Sequence, residues 1–324
     1  MLSVGSLLSG CLGLDLGLAA ADYEFAWACE ADEACRRVIA EREPGLEVVP
    51  DVREIDGGVP PVDVLAGGFP CPDFSVAGGR SGMGGDGSSL WLEFARCIRL
   101  LRPRLVLVEN VPGLLSAPGL DEHPGESAVG VVLADLAAAG YVGRWLCLRA
   151  SDLGAPHRRE RLFILAADAE RERLDGSGAR DAGAPAGGGG WAEPAGSAQA
   201  PPDSDHAGRG EHARPVPGRA QLAASVDGGP APADADGAGR PAEWGAYADA
   251  VLRWEAVLGR PAPRPVDARG RLEPAFVEWM MGFPHAWTDV PEVGRTARLR
   301  MLGNAVQVQV GEAVGRLLRD REAA

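Results

Sequence analysis

A chain of 324 residues, 46% apolar and 24% charged, can bury one large core or two ordinary ones, which excludes a disordered polymer. Its formal charge of −14 excludes nucleic-acid binding through overall charge, so any contact with phosphates must be local. All 32 basic residues are Arg, and with abundant Ala, Gly and Pro this reads as the imprint of a GC-rich genome.

The six cysteines, at positions 11, 29, 35, 71, 97 and 147, form no CxxC pair and no Cys/His cluster with metal spacing. Neither a metal site nor a disulfide framework is expected, and a reducing cytoplasm fits best. The N-terminal stretch has no Arg before Arg36 and is broken by Ser and Gly, so an ordinary signal peptide is not expected. No run reaches membrane-spanning length.

In chain order, a strand over Ser3–Leu8 opens onto Ser9-Gly10-Cys11-Leu12-Gly13-Leu14-Asp15-Leu16-Gly17, a glycine turn that starts a helix over Leu14–Ala20. A second strand, Phe25–Cys29, ends at the acidic Glu30 and is followed by a helix over Asp32–Glu41; a third, Glu47–Val49, leads to Asp51. A carboxylate at Glu30 can bind ribose hydroxyls, and Asp51 can accept a hydrogen bond from an adenine amino group. Glycine spacing alone is a weak signal, and Glu30 taken singly reads as readily as a helix cap.

The fourth strand, Val62–Ala66, runs through Gly67-Gly68 into Phe69-Pro70-Cys71-Pro72-Asp73-Phe74-Ser75, with a glycine-rich loop over Ala77–Gly87 beyond. This places a lone thiol on a turn directly after an apolar strand. A free Cys is more often a small buried hydrophobe, but here Cys71 is a candidate nucleophile. After a helix over Leu90–Leu101, the apolar strand Leu105–Val108 runs into Glu109-Asn110-Val111-Pro112-Gly113. Partial burial of Glu109 would raise its pKa and let it hold a proton. A helix over Val129–Ala139 and strands over Val142–Leu148 and Leu162–Ala166 follow, the last two separated by His157-Arg158-Arg159-Glu160-Arg161. Glu109, Arg159 and Arg161 could equally form a structural ion-pair network.

This alternation predicts a doubly wound α/β sheet that binds ligands at the carboxyl ends of its strands. From about Asp168 to Arg240 the pattern collapses into Gly, Ala, Pro and Asp, including Gly187–Gly190, and a flexible insert is expected. Apolar spacing then predicts a helix through Trp244, Tyr247, Val251, Trp254 and Val257. A Pro-rich link over Arg260–Pro265 and helices over Pro274–Met281 and Ala305–Leu318 follow. Arg295, Arg298 and Arg300 form a second basic cluster, and Trp279 with Met280 and Met281 reads as core packing.

Together these residues closely resemble the cytosine-5 DNA methyltransferase family, including its actinobacterial and phage members. The cofactor motif resembles Ser9–Gly17, the Pro-Cys motif Pro70-Cys71, and the Glu-Asn-Val motif Glu109–Val111. The Gln-x-Arg-x-Arg motif resembles His157–Arg161, and the Gly-Asn motif Gly303-Asn304-Ala305-Val306. The resemblance implies a Rossmann-like S-adenosylmethionine methyltransferase sheet with a small, irregular target-recognition region. The catalytic domain would span residues 1–167, the recognition region 168–275 with its insert at 168–240, and a returning C-terminal segment 276–324.

By the same resemblance, Cys71 adds to a flipped-out cytosine, Glu109 contacts its ring nitrogen 3 and exocyclic amine, and Arg161 helped by Arg159 holds its carbonyl oxygen. S-adenosylmethionine would contact Leu8, Ser9, Gly10, Cys11, Gly13 and Pro70, with Glu30 on the ribose, Asp51 on the adenine, and Asn304 and Ala305 at the methionine end. Ser75 and the glycine-rich loop would close over double-stranded DNA. A monomer is expected, with a cognate restriction endonuclease acting separately. Three positions depart from the pattern: Leu12 stands where the family has Gly, and Pro72 and His157 where it has Gln. The tRNA-methylating branch and a non-catalytic DNA-binding relative are the alternatives. A nicotinamide oxidoreductase would need neither the Pro-Cys loop nor the Arg pair.

Overall fold

The computed structural model describes residues 1–69, 86–118, 127–174 and 244–323. Seven strands form one sheet: β1 (Leu2–Leu7), β2 (Tyr23–Cys29), β3 (Glu47–Val49), β4 (Val64–Gly68), β5 (Leu105–Asn110), β6 (Tyr141–Arg149) and β7 (Glu160–Asp168). Their order is β3-β2-β1-β4-β5-β7-β6. The first five run parallel, while β7 lies antiparallel to both β5 and β6. All six residues of β5 are buried, as a strand covered on both faces by helices requires.

Helices α1 (Gly13–Ala20), α2 (Glu33–Arg42), α3 (Asp86–Leu101) and α4 (Ala128–Ala138) connect these strands, and α5 (Ala169–Leu174) follows β7. The side chain of Asp32 caps α2 by accepting from Cys35 N at 3.1 Å. Beyond residue 243 come α6 (Ala248–Leu258), α7 (Pro274–Met280), α8 (Arg295–Asn304) and α9 (Val308–Ala323). One face of the sheet buries Trp27, Ile164 and Val106 against Trp91 and Phe94 of α3 and Val132 and Leu136 of α4. The other buries Val4, Val64 and Phe163 against Leu14 and Leu18 of α1, Trp254, Trp279, Val314 and Leu318.

The late segment is sewn onto the early one by directed bonds. Tyr23 donates its hydroxyl to Gly315 O at 3.0 Å, and the Trp287 indole donates to Cys11 O at 2.9 Å. Gly17 is required where α1 meets α9, because a Cβ there would collide with the backbone at Val308 and Gly311–Glu312.

Expected and observed elements differ chiefly at the following places. Helix α8 arises in the stretch read as a basic cluster. Its Arg298 pairs with the buried Glu278 at 3.3 Å and with Asp289 at 2.7 Å, and Met301 and Leu302 near its end bury in the core, so ion pairs and a short apolar contact hold it without a full apolar stripe. The last helix starts at Val308 rather than Ala305, because Ala305 is extended (φ −63°, ψ 155°). Strand β5 carries on through Glu109 and Asn110. Strand β3 spans Glu47–Val49 as expected, and Asp51 after it caps a 3-10 turn over Val52–Glu54.

Candidate active site

The strand order reverses between β1 and β4, and the crevice outside their carboxyl ends is where open sheets of this kind bind ligands. A cavity of about 910 Å³ lies there. Of the residues expected at the site, Leu8, Ser9, Gly10, Gly13, Glu30, Glu109, Arg161, Asn304 and Ala305 line it. Ser6, Asp15 and Asp32 line it as well, with no role foreseen for them from the sequence, and so does Arg300 of the second basic cluster, a candidate for local nucleic-acid contact.

The turn after β1 alternates into left-handed backbone at Leu8 (φ 55°), Gly10 (φ 57°) and Leu12 (φ 68°). Leu12 therefore holds, as a Leu, a conformation that costs such a residue about 1–2 kcal/mol. Its buried side chain offsets this by packing with Phe283, Trp287 and Leu302, which explains how the chain tolerates Leu where Gly was expected. Glu30 fastens the turn: Oε2 accepts from Gly10 N at 2.6 Å and Oε1 from Asp32 N at 2.7 Å. Burial raises its pKa against the pull of those two N–H groups. A Cβ on Gly13 would collide with Val306 O, so the start of α1 and the 305–306 segment share one wall.

Cys11 and Asp51 stand apart from the cavity. Cys11 is fully buried among the packing residues of the late segment. Asp51 turns back on its own 3-10 turn, accepting from Arg53 N at 2.9 Å and pairing with Arg53 Nε at 3.2 Å. The acid on that rim besides Glu30 is Asp32, ion-paired with Arg300.

At the other end of the cavity, Glu109 lies beside Gly68 of β4 and Phe163 of β7. Its Oε1 meets Arg161 Nε at 2.8 Å. Burial raises the Glu109 pKa, opposed by Arg161 and then Arg159. A Cβ on Gly68 would collide with Glu109 Oε2. Gly68→Ala is therefore expected to displace the carboxylate and to lower whatever turnover depends on it by about 10- to 100-fold, the size of a roughly 1 Å misplacement. The chain should stay folded, and steady-state rates set beside a melting curve check both parts.

Arg159 does not line the cavity. Its guanidinium donates to Gly303 O and Ala305 O, each at 2.8 Å, and so braces the turn that carries Asn304. Burial, then Arg161, pulls its pKa down to about 10. Arg159 thus makes a supporting contact here, while Arg161 faces the cavity. His157 Nε2 donates to Met280 O at 3.1 Å while Nδ1 accepts from Arg159 N at 3.4 Å, and burial lowers its pKa. Asn110 donates to Phe69 O at 3.2 Å and so ties β5 to the last described residue before Pro70. Pro70, Cys71, Pro72, Ser75 and the glycine-rich loop up to Gly85 lie outside the described residues.

Asp15 is 1% exposed in the first turn of α1. Neither of its carboxylate oxygens has a hydrogen-bond partner among the described residues. Burial drives its pKa up from 3.8 to about 6. A carboxyl raised in the folded state binds extra protons there, so its effect on stability is neutral below pH 4 and unfavourable above pH 6. The full penalty is about 3 kcal/mol. Asp15→Asn is expected to remove most of that loss between about pH 4 and 6, which urea midpoints of both ligand-free proteins across that range will show. Glu30 and Glu109 titrate in the same sense in both proteins, so the difference isolates Asp15.

A family model described as C-5 cytosine-specific DNA methylase matches residues 2–184. Among curated relatives, the Type II methyltransferase M2.BsuMI of Bacillus subtilis is 34% identical over 169 residues, covering 51% of this chain and 42% of the relative. M.NgoFVII of Neisseria gonorrhoeae is 33% identical over 167 residues, 49% of this chain and 42% of its own length. M.Bsp6I of a Bacillus species is 34% identical over 169 residues, 51% and 52%. The chain spans about half the length of these relatives. A solved E. coli structure, described as a prophage-encoded DNA modification methyltransferase, covers both chains fully with a TM-score of 0.59 at 19% identity, which speaks for the fold. Sheet order, the cavity at its switch point and the matched span together make this chain a member of the C-5 cytosine-specific DNA methylases.

Proposed function

We propose that the protein transfers a methyl group from S-adenosylmethionine to carbon 5 of a cytosine in double-stranded DNA, within restriction-modification or phage protection. The observation that carries this reading is the Glu109–Arg161 pair at 2.8 Å, held on one wall of the cavity whose other walls are the glycine turn and Asn304. S-adenosylmethionine, when bound, supplies an electrophilic methyl group. The residues fit it: Glu30 retains lone pairs for ribose hydroxyls, the Gly10 turn leaves open space, and Asp15 offers an uncompensated carboxylate.

On the base, the thiolate of Cys71 forms a bond to ring carbon 6 and pushes an electron pair to carbon 5. Carbon 5 takes the methyl group and gives up its proton, and the electrons of that bond expel the thiolate. Glu109, with its raised pKa, holds a proton at ring nitrogen 3, and Arg161 stabilises charge on the carbonyl oxygen. The base must be flipped out of the stack, at a few kcal/mol. Residues 168–275 would supply target recognition, and the Type II methyltransferase relatives favour duplex DNA as substrate.

The test is transfer of labelled methyl from S-adenosylmethionine to duplex DNA and, in parallel, to tRNA, with the product digested to nucleosides. 5-Methyldeoxycytidine from the duplex is the expected result. Label on tRNA alone moves the assignment to the RNA-acting branch, and label on neither sinks the enzymatic reading.

A further inference from the structure

Ser6 lies within β1's buried run Val4–Leu7, and Asp15 lies across from it in α1; each is 1% exposed and each lines the cavity. The Ser6 hydroxyl, like the Asp15 carboxylate, has no hydrogen-bond partner among the described residues. Ser6 acts on the carboxylate from close by, yet by geometry neither closes a bond on the other. The charged group that acts on Asp15 is Glu30, a second carboxylate. An acid in the first turn of a helix ordinarily accepts from the free N–H groups of that turn; the one that acts on the Asp15 carboxylate is its own N–H, which lies close without closing a hydrogen bond of good geometry.

A buried carboxylate without donors is costly, and native structures keep one where a ligand completes it. The missing partner must be cationic, because two carboxylates face the same space. It must also carry several N–H donors, because two carboxylate oxygens and a hydroxyl are unfilled. A primary ammonium meets both demands, whereas a sulfonium brings charge without donors and an adenine amine donors without charge. Asp15 stands two residues after Gly13, whose Cα faces Val306 O, so this acid belongs to the wall shared with Asn304 and Ala305.

We propose that Asp15, assisted by the Ser6 hydroxyl, binds the α-ammonium group of the cofactor's methionine end. The inference rests on the S-adenosylmethionine reading given above, and its test separates the two. Calorimetric titration of the full chain with S-adenosylmethionine, S-adenosylhomocysteine and 5′-methylthioadenosine compares wild type with Asp15→Asn. The third ligand lacks the amino-acid end altogether.

Asp15→Asn should weaken the first two by about 10- to 100-fold, the scale of a charge-assisted hydrogen bond, and leave methylthioadenosine within about twofold. Equal losses on all three ligands would make Asp15 a structural residue and overturn the proposal. A loss confined to S-adenosylmethionine would assign Asp15 to the sulfonium, and no loss would remove it from the site; either overturns the proposal. Wild type that binds neither S-adenosylmethionine nor S-adenosylhomocysteine would sink the cofactor reading itself. Ser6→Ala, which keeps the acid, should show a smaller loss with the same selectivity and carries the comparison should Asp15→Asn fold poorly.

Discussion

Exchange of Cys71 for Ser is expected to drop methyl transfer to duplex DNA by on the order of 10⁴-fold or more while cofactor affinity stays unchanged. A serine hydroxyl is not ionised near neutral pH, so the attack on ring carbon 6 loses its nucleophile. None of the described thiols is suited to take its place. Cys11, Cys29, Cys35, Cys97 and Cys147 are unpaired thiols, and burial raises the pKa of each, to about 12 for Cys29 and about 11 for Cys97. A duplex carrying 5-fluorocytosine, which has no carbon-5 proton to lose, should hold wild type covalently and release Cys71→Ser on a denaturing gel. Undiminished transfer by the Ser variant would place the nucleophile elsewhere and end the covalent scheme.

Glu109→Gln is expected to cost about 10³-fold in kcat with little change in the KM for DNA, the signature of an interaction made in the transition state. Gln matches Glu in shape and can still accept from Arg161, but it can neither carry a proton to the ring nor balance the guanidinium charge. The half-lost pair with Arg161 should also lower stability, by about 1–3 kcal/mol. If Glu109, Arg159 and Arg161 were only a structural ion-pair network, stability would fall by that amount while kcat at full folding stayed near wild type. Urea midpoints measured beside single-turnover rates distinguish the two.

Strands β2, β4 and β5 were legible because each closes on an apolar run that leads into Gly or an acid, as strands buried in a parallel sheet demand, whereas β3 and the antiparallel β6 are partly exposed and carry a weaker pattern. Glu30 and Glu109 were legible for the same reason, being the first charges after those runs. Asp51 looked equivalent on that logic, but a three-residue strand says nothing of where the next side chain points, and this one caps its own turn. Arg159 and Arg161 are alike in spacing and type, and only the carbonyls of Gly303 and Ala305, some 145 residues away, separate their roles. Helix α8 was hidden because its stabilising partners, Glu278 and Asp289, lie outside it. Asp15 was passed over because an acid in a helix's first turn is ordinary; burial and the absence of a partner among the described residues set it apart.

The cavity has one wall from Leu8–Gly13 and another from Met301–Val306, so its halves leave the ribosome far apart in time. At about 5–20 residues per second, translation separates them by tens of seconds. Until the later wall emerges, a nascent chain has a glycine turn without its Asn304 and a buried Asp15 without a closed pocket around it. Partial translation products should therefore be unable to retain a ligand between the two walls, and binding there becomes the property of chains synthesised at least through α9.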